Sequence, residues 1–355
     1  MTMKLMKMPK IYLIVLLSLG FTTGNSTSAA ASDIPITDSN LYILDMSKSL
    51  NTSELWLSLR QSIQEKLIQP FGNPKAKSYS AKPASDITIS TISKISANSP
   101  TFTIVSKRDS QEIWGVVEKN FPKSNEARKE QIIKALFAPG GVWMEQSKIF
   151  STQKVNAPTK PNCERAMISQ MKLSNWIKNT SVSIQADLAS NLCKKLIDIA
   201  NKYNEVDKYL SNSTCKASDK CSDVTGAILK STRFASDIYD PANKSSSGLC
   251  IAIASDMLND AVSIKPKTLL DSRFYALNSK STVEANSAGV KAAKSVGVKF
   301  PSGLKTKVVI VGMGTGPKPL PLDRTSFLDA YWNGFFTSAG ISQSSQTQSI
   351  NKACA

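Results

Sequence analysis

The chain has 355 residues and a formal net charge of +17, because 44 Lys and Arg residues outnumber 27 Asp and Glu residues, and it contains no histidine. Without histidine there is no Ser-His-Asp or Cys-His nucleophile system and no histidine general base. The composition therefore argues against an enzyme, since only carboxylates, lysine or a bound metal would remain to do the chemistry.

Residues 1–31 have the three regions of a secretory signal peptide. Three lysines precede an apolar run from Ile11 to about Phe21, and a small-residue segment then ends at Ala31. The apolar run is short for a transmembrane helix, although a retained N-terminal anchor is the alternative. No later segment is apolar for long enough to span a bilayer. We therefore expect a secreted or periplasmic protein with a soluble mature chain.

The first strand is predicted over residues 40–46, and a helix is predicted over 52–69. Between them lies Asp45-Met46-Ser47-Lys48-Ser49, with one carboxylate and two hydroxyls at alternate positions. In an open α/β sheet, ligands bind outside the carboxyl ends of strands. Side chains that offer only oxygen suit a hard cation such as Mg²⁺. Asp and Ser also cap helices and form turns, so this pentapeptide alone more commonly marks a capped helix start.

The next segments change from strand patterns to helix patterns. Residues 86–92 alternate apolar and polar side chains, and 101–105 is a β-branched run, so the two are predicted to pair as an antiparallel hairpin. From 107 to 221 the apolar residues instead recur at helical spacing. Helices are predicted there over 111–120, 126–137, 163–178 and 184–210. We interpret 107–221 as a helical insertion between sheet elements.

Strands and helices alternate again after residue 221. Strands are predicted over 248–255 and 307–312, and helices over 223–238, 283–296 and 325–339. The aromatic face of the last helix is predicted to pack against the sheet. Continuous apolar strands alternating with helices predict an α/β fold with a doubly wound, mostly parallel sheet. Residues 341–355, rich in Ser and Gln, are predicted to be a flexible tail.

Two further oxygen-bearing side chains are predicted at the carboxyl edge of the sheet. Asp256 follows the strand ending at Ser255, and Thr225 lies where a loop runs into the helix predicted over 223–238. Together with Asp45, Ser47 and Ser49, they are the candidate ligands of one divalent cation.

This set of motifs resembles a von Willebrand factor A-type (VWA-like) domain with a metal-ion-dependent adhesion site. The matching segments are Leu41–Ser49, Asp223–Leu229 and Ile251–Asp256. The resemblance covers about 38–106 and 222–340, the two predicted parts of the domain, and leaves 107–221 unmatched. Met257 stands where the family usually has glycine, and the insertion before Thr225 is longer than usual.

The resemblance implies Mg²⁺, or Mn²⁺ or Ca²⁺ in its place, with a specific division of roles. Ser47, Ser49 and Thr225 would be direct ligands, and Asp45 and Asp256 would act through water. An open coordination position would accept a carboxylate from a protein ligand, and the positive end of the following helix would favour that anion. The implied function is binding or adhesion without catalysis. A metal-assisted hydrolase has no evident base in this sequence.

The positive charge supports a different partner class. It favours acidic partners, namely nucleic acid, an anionic polysaccharide or an anionic membrane surface. Removing the three signal-peptide lysines from the +17 still leaves +14. The basic residues form no dense run, so a solvated basic surface explains the charge equally well. An exported protein that binds anionic polymers, with a vestigial metal site, therefore remains the alternative.

The cysteines favour disulfides over zinc. Their number is even, all lie in the predicted mature chain, and there is no Cys-x-x-Cys pair. The six are Cys163, Cys193, Cys215, Cys221, Cys250 and Cys354. Fifteen pairings are possible. A local bridge between Cys215 and Cys221 is the one that the spacing favours.

Overall fold

The structure is a computed structural model. It describes residues 39–47, 52–68, 86–122, 124, 126–138, 140–152, 154–212, 222–239, 248–259, 278–315, 319–341, 343–347, 350 and 353–354. The predicted signal peptide, Ser49, and the predicted bridge between Cys215 and Cys221 lie outside the described residues.

A six-stranded sheet forms the centre of the described fold. Its strands are β1 (Ser39–Asp45), β2 (Asp86–Ile92), β3 (Thr101–Val105), β4 (Gly248–Ala254), β5 (Lys305–Val311) and β6 (Gln343–Thr347). The spatial order is β3-β2-β1-β4-β5-β6. Every neighbouring pair is parallel except β2 and β3, which are antiparallel. The predicted hairpin and the predicted mostly parallel sheet are therefore confirmed.

Helices cover both faces of this sheet. They are α1 (Thr52–Ile68), α2 (Lys107–Asn120), α3 (Glu126–Phe137), α4 (Val142–Ser147), α5 (Lys160–Leu173), α6 (Val182–Asn212), α7 (Val224–Ile238), α8 (Thr282–Val296) and α9 (Leu322–Ser338). Short 3₁₀ turns occur at Ser96–Asn98 and Lys148–Ser151.

Alternation along β1 divides the core into two layers. Tyr42 and Leu44 pack in one cluster with helices α1 to α6, whereas Leu41 and Ile43 pack in the other with α7 to α9. This follows from the period of two in a strand, since successive side chains point to opposite faces. The helices of 107–212 thus share a hydrophobic core with the sheet. The boundaries predicted at 38–106, 107–221 and 222–340 remain predictions.

The aromatic helix packs as predicted. Leu328, Tyr331, Trp332, Phe335 and Phe336 of α9 are buried in the second cluster.

Helices α8 and α9 approach each other closely through two glycines. A side chain on Gly289 would overlap the carbonyl oxygen of Tyr331, and one on Gly334 would overlap that of Asn286. Small residues at these positions therefore let the two backbones pack together on the sheet.

Two disulfide bonds join distant parts of the described chain. Cys163–Cys193 links α5 to α6, and Cys250–Cys354 links the middle of β4 to the C-terminal segment. Disulfides of this kind are typical of exported proteins. Among the helices that the structure describes, none is long and apolar enough to cross a membrane.

The structure corrects the flexible tail predicted over 341–355. Residues 343–347 form β6, a parallel edge strand beside β5, and Cys354 is held by its disulfide to Cys250. Low apolarity misled the prediction, because an edge strand can be polar and still gain its backbone hydrogen bonds from a neighbour. The short helix α4 was also missed, since six residues are too few to display a helical period.

Candidate metal centre

The carboxyl ends of β1 and β4 lie side by side. Leu44 is paired with Ala254, so Asp45, the last residue of β1, lies beside the residues that leave β4. The strand order reverses between these two strands, and ligands of doubly wound sheets bind in the crevice at this point. Asp45 and Asp256 are 1% and 2% exposed. The fold therefore places two buried carboxylates at its topological switch point.

Hydrogen bonds fix both oxygens of the Asp45 carboxylate. Its Oδ1 accepts a bond from the backbone N–H of Ser47 at 2.9 Å. Its Oδ2 accepts one from the Ser255 hydroxyl at 2.8 Å and a longer one from the Ser222 hydroxyl at 3.4 Å. Ser255 is itself oriented by the backbone N–H of Met257, which donates to its Oγ at 2.9 Å. Asp45 is thus held from three segments of the chain.

Burial, and after it the negative charge of Asp256, raise the pKa of Asp45 from 3.8 to about 6, although hydrogen bonds from Ser47 and Ser255 act in the opposite direction. A buried carboxylate with a like charge beside it is unfavourable in its ionised form. A cation bound between the two would remove this penalty.

The start of α7 carries Thr225 to the same edge. Asp223 caps the helix by accepting from the Gly226 N–H at 2.9 Å, and its other oxygen accepts from the Ser96 N–H at 3.0 Å. A side chain on Gly226 would overlap the Asp223 carboxylate and would have to displace this cap. These contacts fasten the helix start to the turn that follows β2.

Asn259 connects Thr225 to the loop after β4. Its Oδ1 accepts from the Val224 N–H at 3.0 Å, and its Nδ2 donates to the Thr225 hydroxyl at 3.2 Å. A hydroxyl oxygen has two lone pairs, so Thr225 can accept this bond and still offer a lone pair to a cation.

The loop after β4 is fixed by contacts with its own backbone and with α9. Asp256 Oδ1 accepts from the Leu258 N–H at 3.0 Å, and the Asp256 carbonyl accepts from the Gly314 N–H at 3.0 Å. Met257 has a φ of 61°, an unusual value for a residue with a side chain, and its carbonyl accepts from Trp332 Nε1 at 2.9 Å. The loop geometry is therefore built into the fold.

The structure places four of the five predicted ligands at this edge: Asp45, Ser47, Thr225 and Asp256. Ser49 lies outside the described residues. Sequence reasoning missed Ser222, Ser255 and Asn259. Ser255 was recognisable in principle, because it ends the strand directly before Asp256. The partner of Asn259 depends on how the helix start meets the loop, which the residue pattern alone does not reveal.

The donor set of this edge excludes some metals. No group of three or more Cys, Asp or Glu side chains is placed to hold a metal within the described parts of the chain. A cation here would therefore depend on two carboxylates, hydroxyls and water. Mg²⁺ accepts such a set, because it keeps several waters and binds few protein carboxylates. Zinc, which prefers nitrogen and sulfur, does not fit.

Comparisons with family models, with curated proteins and with solved structures found no match to this chain. The resemblance to the VWA-like family therefore rests on the sequence motifs alone.

A separate cleft of about 240 Å³ lies beside α7, and it shares no lining residue with the candidate metal centre. Lys230 lines it and donates to the Ser90 hydroxyl at 3.3 Å and to the Ser99 carbonyl. Burial lowers the pKa of Lys230. These bonds fasten α7 to β2 and to the connection between β2 and β3, so the lysine has a structural role in this cleft.

Proposed function

We propose that the chain is an exported, VWA-like binding or adhesion protein that recognises a protein ligand through a divalent cation. The observation that carries the proposal is the buried Asp45 carboxylate, which lies beside Asp256 at the switch point and is surrounded by hydroxyl groups. Two carboxylates in one buried place cost stability unless something compensates their charge. A functional cation explains why this edge contains both.

Each residue has a distinct role in this proposal. Ser47 and Thr225 would bind the cation directly, with Ser49 as a further direct ligand, while Asp45 and Asp256 would hold its waters. Asn259 orients the Thr225 hydroxyl, and Ser255 orients the Asp45 carboxylate. When bound, the cation would supply an open coordination position for a carboxylate of the protein ligand.

Export is part of the proposal. The three regions of the predicted signal peptide support it, and so do the two disulfides, Cys163–Cys193 and Cys250–Cys354.

Calorimetric titration with Mg²⁺ and with Mn²⁺ tests the metal site. We expect one cation per chain for the wild type, and loss of binding in Asp45→Ala and in Thr225→Ala. Asp198→Ala is the matched control, because Asp198 is a partly exposed carboxylate on α6 that pairs with Lys202. Equal binding by wild type and Asp45→Ala, or no binding by either, would refute the proposal.

The net charge of +14 that remains without the three signal-peptide lysines supports a second candidate, binding to nucleic acid or to an anionic polysaccharide. In that case affinity would fall steeply with salt and would not respond to a chelator. Binding to heparin or DNA that EDTA abolishes and salt does not change would contradict this second candidate.

A further inference from the structure

Helices α5 and α6 form a helical hairpin closed by the disulfide Cys163–Cys193. Cys163 lies ten residues before the end of α5, and Cys193 lies eleven residues after the start of α6. At 1.5 Å per residue, the connection between the helices lies about 15 Å from the disulfide. We call residues 172–182 the hairpin tip.

The hairpin tip exposes three large apolar side chains. Leu173 is 75% exposed, Trp176 is 49% exposed and Val182 is 81% exposed. Only four other large apolar residues among those described are this exposed, and they are spread over the chain: Leu57, Ile95, Val283 and Leu322. A concentration of apolar side chains within eleven residues indicates a contact surface.

The tip holds its shape without covering these side chains. Gln185 Nε2 lies within 3.2–3.3 Å of the carbonyl oxygens of Ile177, Lys178 and Thr180, to which it donates. Ile177 points inward and is fully buried in the core. The Gln185 amide and the buried Ile177 side chain thus fix the backbone of the tip, while Trp176 points outward. A preformed surface loses little conformational entropy when it binds.

The charge around the tip is positive. Lys172 and Lys178 are exposed, and the sequence has no acidic residue between Glu164 and Asp187. The carboxylate of Asp187 accepts bonds from Lys119 at 3.3 Å and from Asn120 at 2.8 Å, so its charge is already paired. A partner that approaches the tip therefore meets apolar groups beside two lysines.

We propose that the hairpin tip docks on an anionic lipid surface. Tryptophan favours the boundary between lipid headgroups and hydrocarbon, and exposed lysines are attracted to anionic headgroups. In this contact, Leu173 and Val182 enter the apolar layer of the membrane. The phosphate backbone of a nucleic acid offers no such layer, so these two side chains favour lipid over nucleic acid. Three apolar residues form a shallow, reversible contact, and the tip does not span the bilayer.

Sedimentation with lipid vesicles tests the proposal. The signal-peptide-free chain is mixed with vesicles that contain phosphatidylglycerol and, separately, with vesicles of phosphatidylcholine alone. We expect binding to the anionic vesicles only. Trp176→Ala should weaken it about ten-fold. Lys172→Gln with Lys178→Gln should weaken it about 25-fold, since each lysine near such a surface contributes about five-fold. EDTA should have no effect, because the tip does not involve the candidate metal centre.

Leu322→Ala and Val283→Ala are matched controls, because both side chains are highly exposed and lie outside the tip. Their vesicle binding should equal that of the wild type. Failure of the wild type to bind anionic vesicles, or equal loss in the controls, would overturn the proposal. So would sedimentation-velocity data in which the wild type dimerises without lipid and Trp176→Ala does not, since the tip would then contact a second copy.

Discussion

The middle of the sheet and its carboxyl edge differ in what they bury. In the middle of β1, Tyr42 and Ile43 pack into apolar layers on opposite faces. At the edge, the fold buries a set of polar side chains: Asp45, Ser47, Ser222, Asp223, Thr225, Ser255, Asp256 and Asn259. Apolar packing stabilises a fold directly, whereas buried polar groups only recover the cost of their desolvation. The edge therefore contributes less to stability than the middle of the sheet, which supports it.

One core residue links the two regions. Trp332 is fully buried against Tyr331 and Phe335, and its Nε1 holds the carbonyl of Met257. Met257 has a left-handed backbone conformation, which costs about 1 kcal/mol or more in a residue with a side chain. The packing of α9 thus keeps the loop after β4 in place.

Replacing Trp332 should have the largest effect on this arrangement. Trp332→Ala leaves a cavity and removes the bond to Met257, so we expect a loss of about 3–5 kcal/mol in the free energy of unfolding. Urea denaturation measures it. Trp176→Ala, which truncates an exposed tryptophan, should change the stability by no more than about 0.5 kcal/mol. Similar losses in both variants would mean that the packing of Trp332 and its bond to Met257 do not stabilise the fold as expected.

Removing the charge of Asp45 should change how the free energy of unfolding depends on pH. Because the folded pKa of about 6 lies above the ordinary value of 3.8, the unfolded chain releases this proton first as the pH rises. The stabilising contribution of Asp45 to the free energy of unfolding is fully present below about pH 4 and is lost as the pH rises through about 6. At about 1.4 kcal/mol per pH unit, the cation-free protein loses about 3 kcal/mol over this range.

Asp45→Asn should remove this part of the pH dependence. Above about pH 6 and without a cation, the variant should be as stable as the wild type or more stable, although it cannot hold the metal. Asp198→Asn, with its carboxylate on the surface, should retain the wild-type profile. Parallel stability curves for wild type and Asp45→Asn between about pH 4 and 6 would contradict the assignment.

Gly226→Ala should act on the start of α7. The new side chain overlaps the Asp223 carboxylate and displaces the helix cap, which costs about 1–2 kcal/mol. Because Thr225 precedes this glycine, metal affinity should fall as well. Thermal unfolding and calorimetry measure the two effects. Gly115→Ala is the control, since a side chain there meets nothing within 4 Å.

Ser255→Ala should lower the free energy of unfolding by about 1–2 kcal/mol, because its hydroxyl no longer donates to Asp45 or accepts from the Met257 N–H. Its clearest result is the direction of a pKa change. Loss of a donor to the charged form raises the pKa of Asp45. Carboxyl-carbon NMR titration reports it, and Ser236→Ala on α7 provides the control. An unchanged or lower pKa in Ser255→Ala would count against the hydrogen bond.

Much of the fold was predictable, because it depends on periodic patterns. Burial shows in the sequence as apolar runs at 41–44 and 308–311 and as the helical spacing of Leu188, Leu192 and Leu196. The edge strand β6 was not predictable in this way. Its five polar residues gain their place from pairing with β5, and backbone pairing leaves no trace in side-chain composition.

The candidate site was predictable only where residues follow strand ends. Asp45 and Asp256 take their positions from β1 and β4, so the order of strands and helices was enough to place them. Thr225 depended on a match of motifs across a long helical segment. The links through Asn259 and Trp332 arise from tertiary packing between elements far apart in sequence.

The pairing of β1 with β4 also sets a time at which the site can first exist. Asp45 precedes its partner Ser255 by 210 residues. A ribosome adds about 5–20 residues per second, so the carboxylate waits about 10–40 s before the chain that completes its surroundings has been made. During that interval β1 has only the hairpin strand β2 beside it. A nascent chain can therefore form half of the sheet, but the proposed cation site is complete only after the second half has been made.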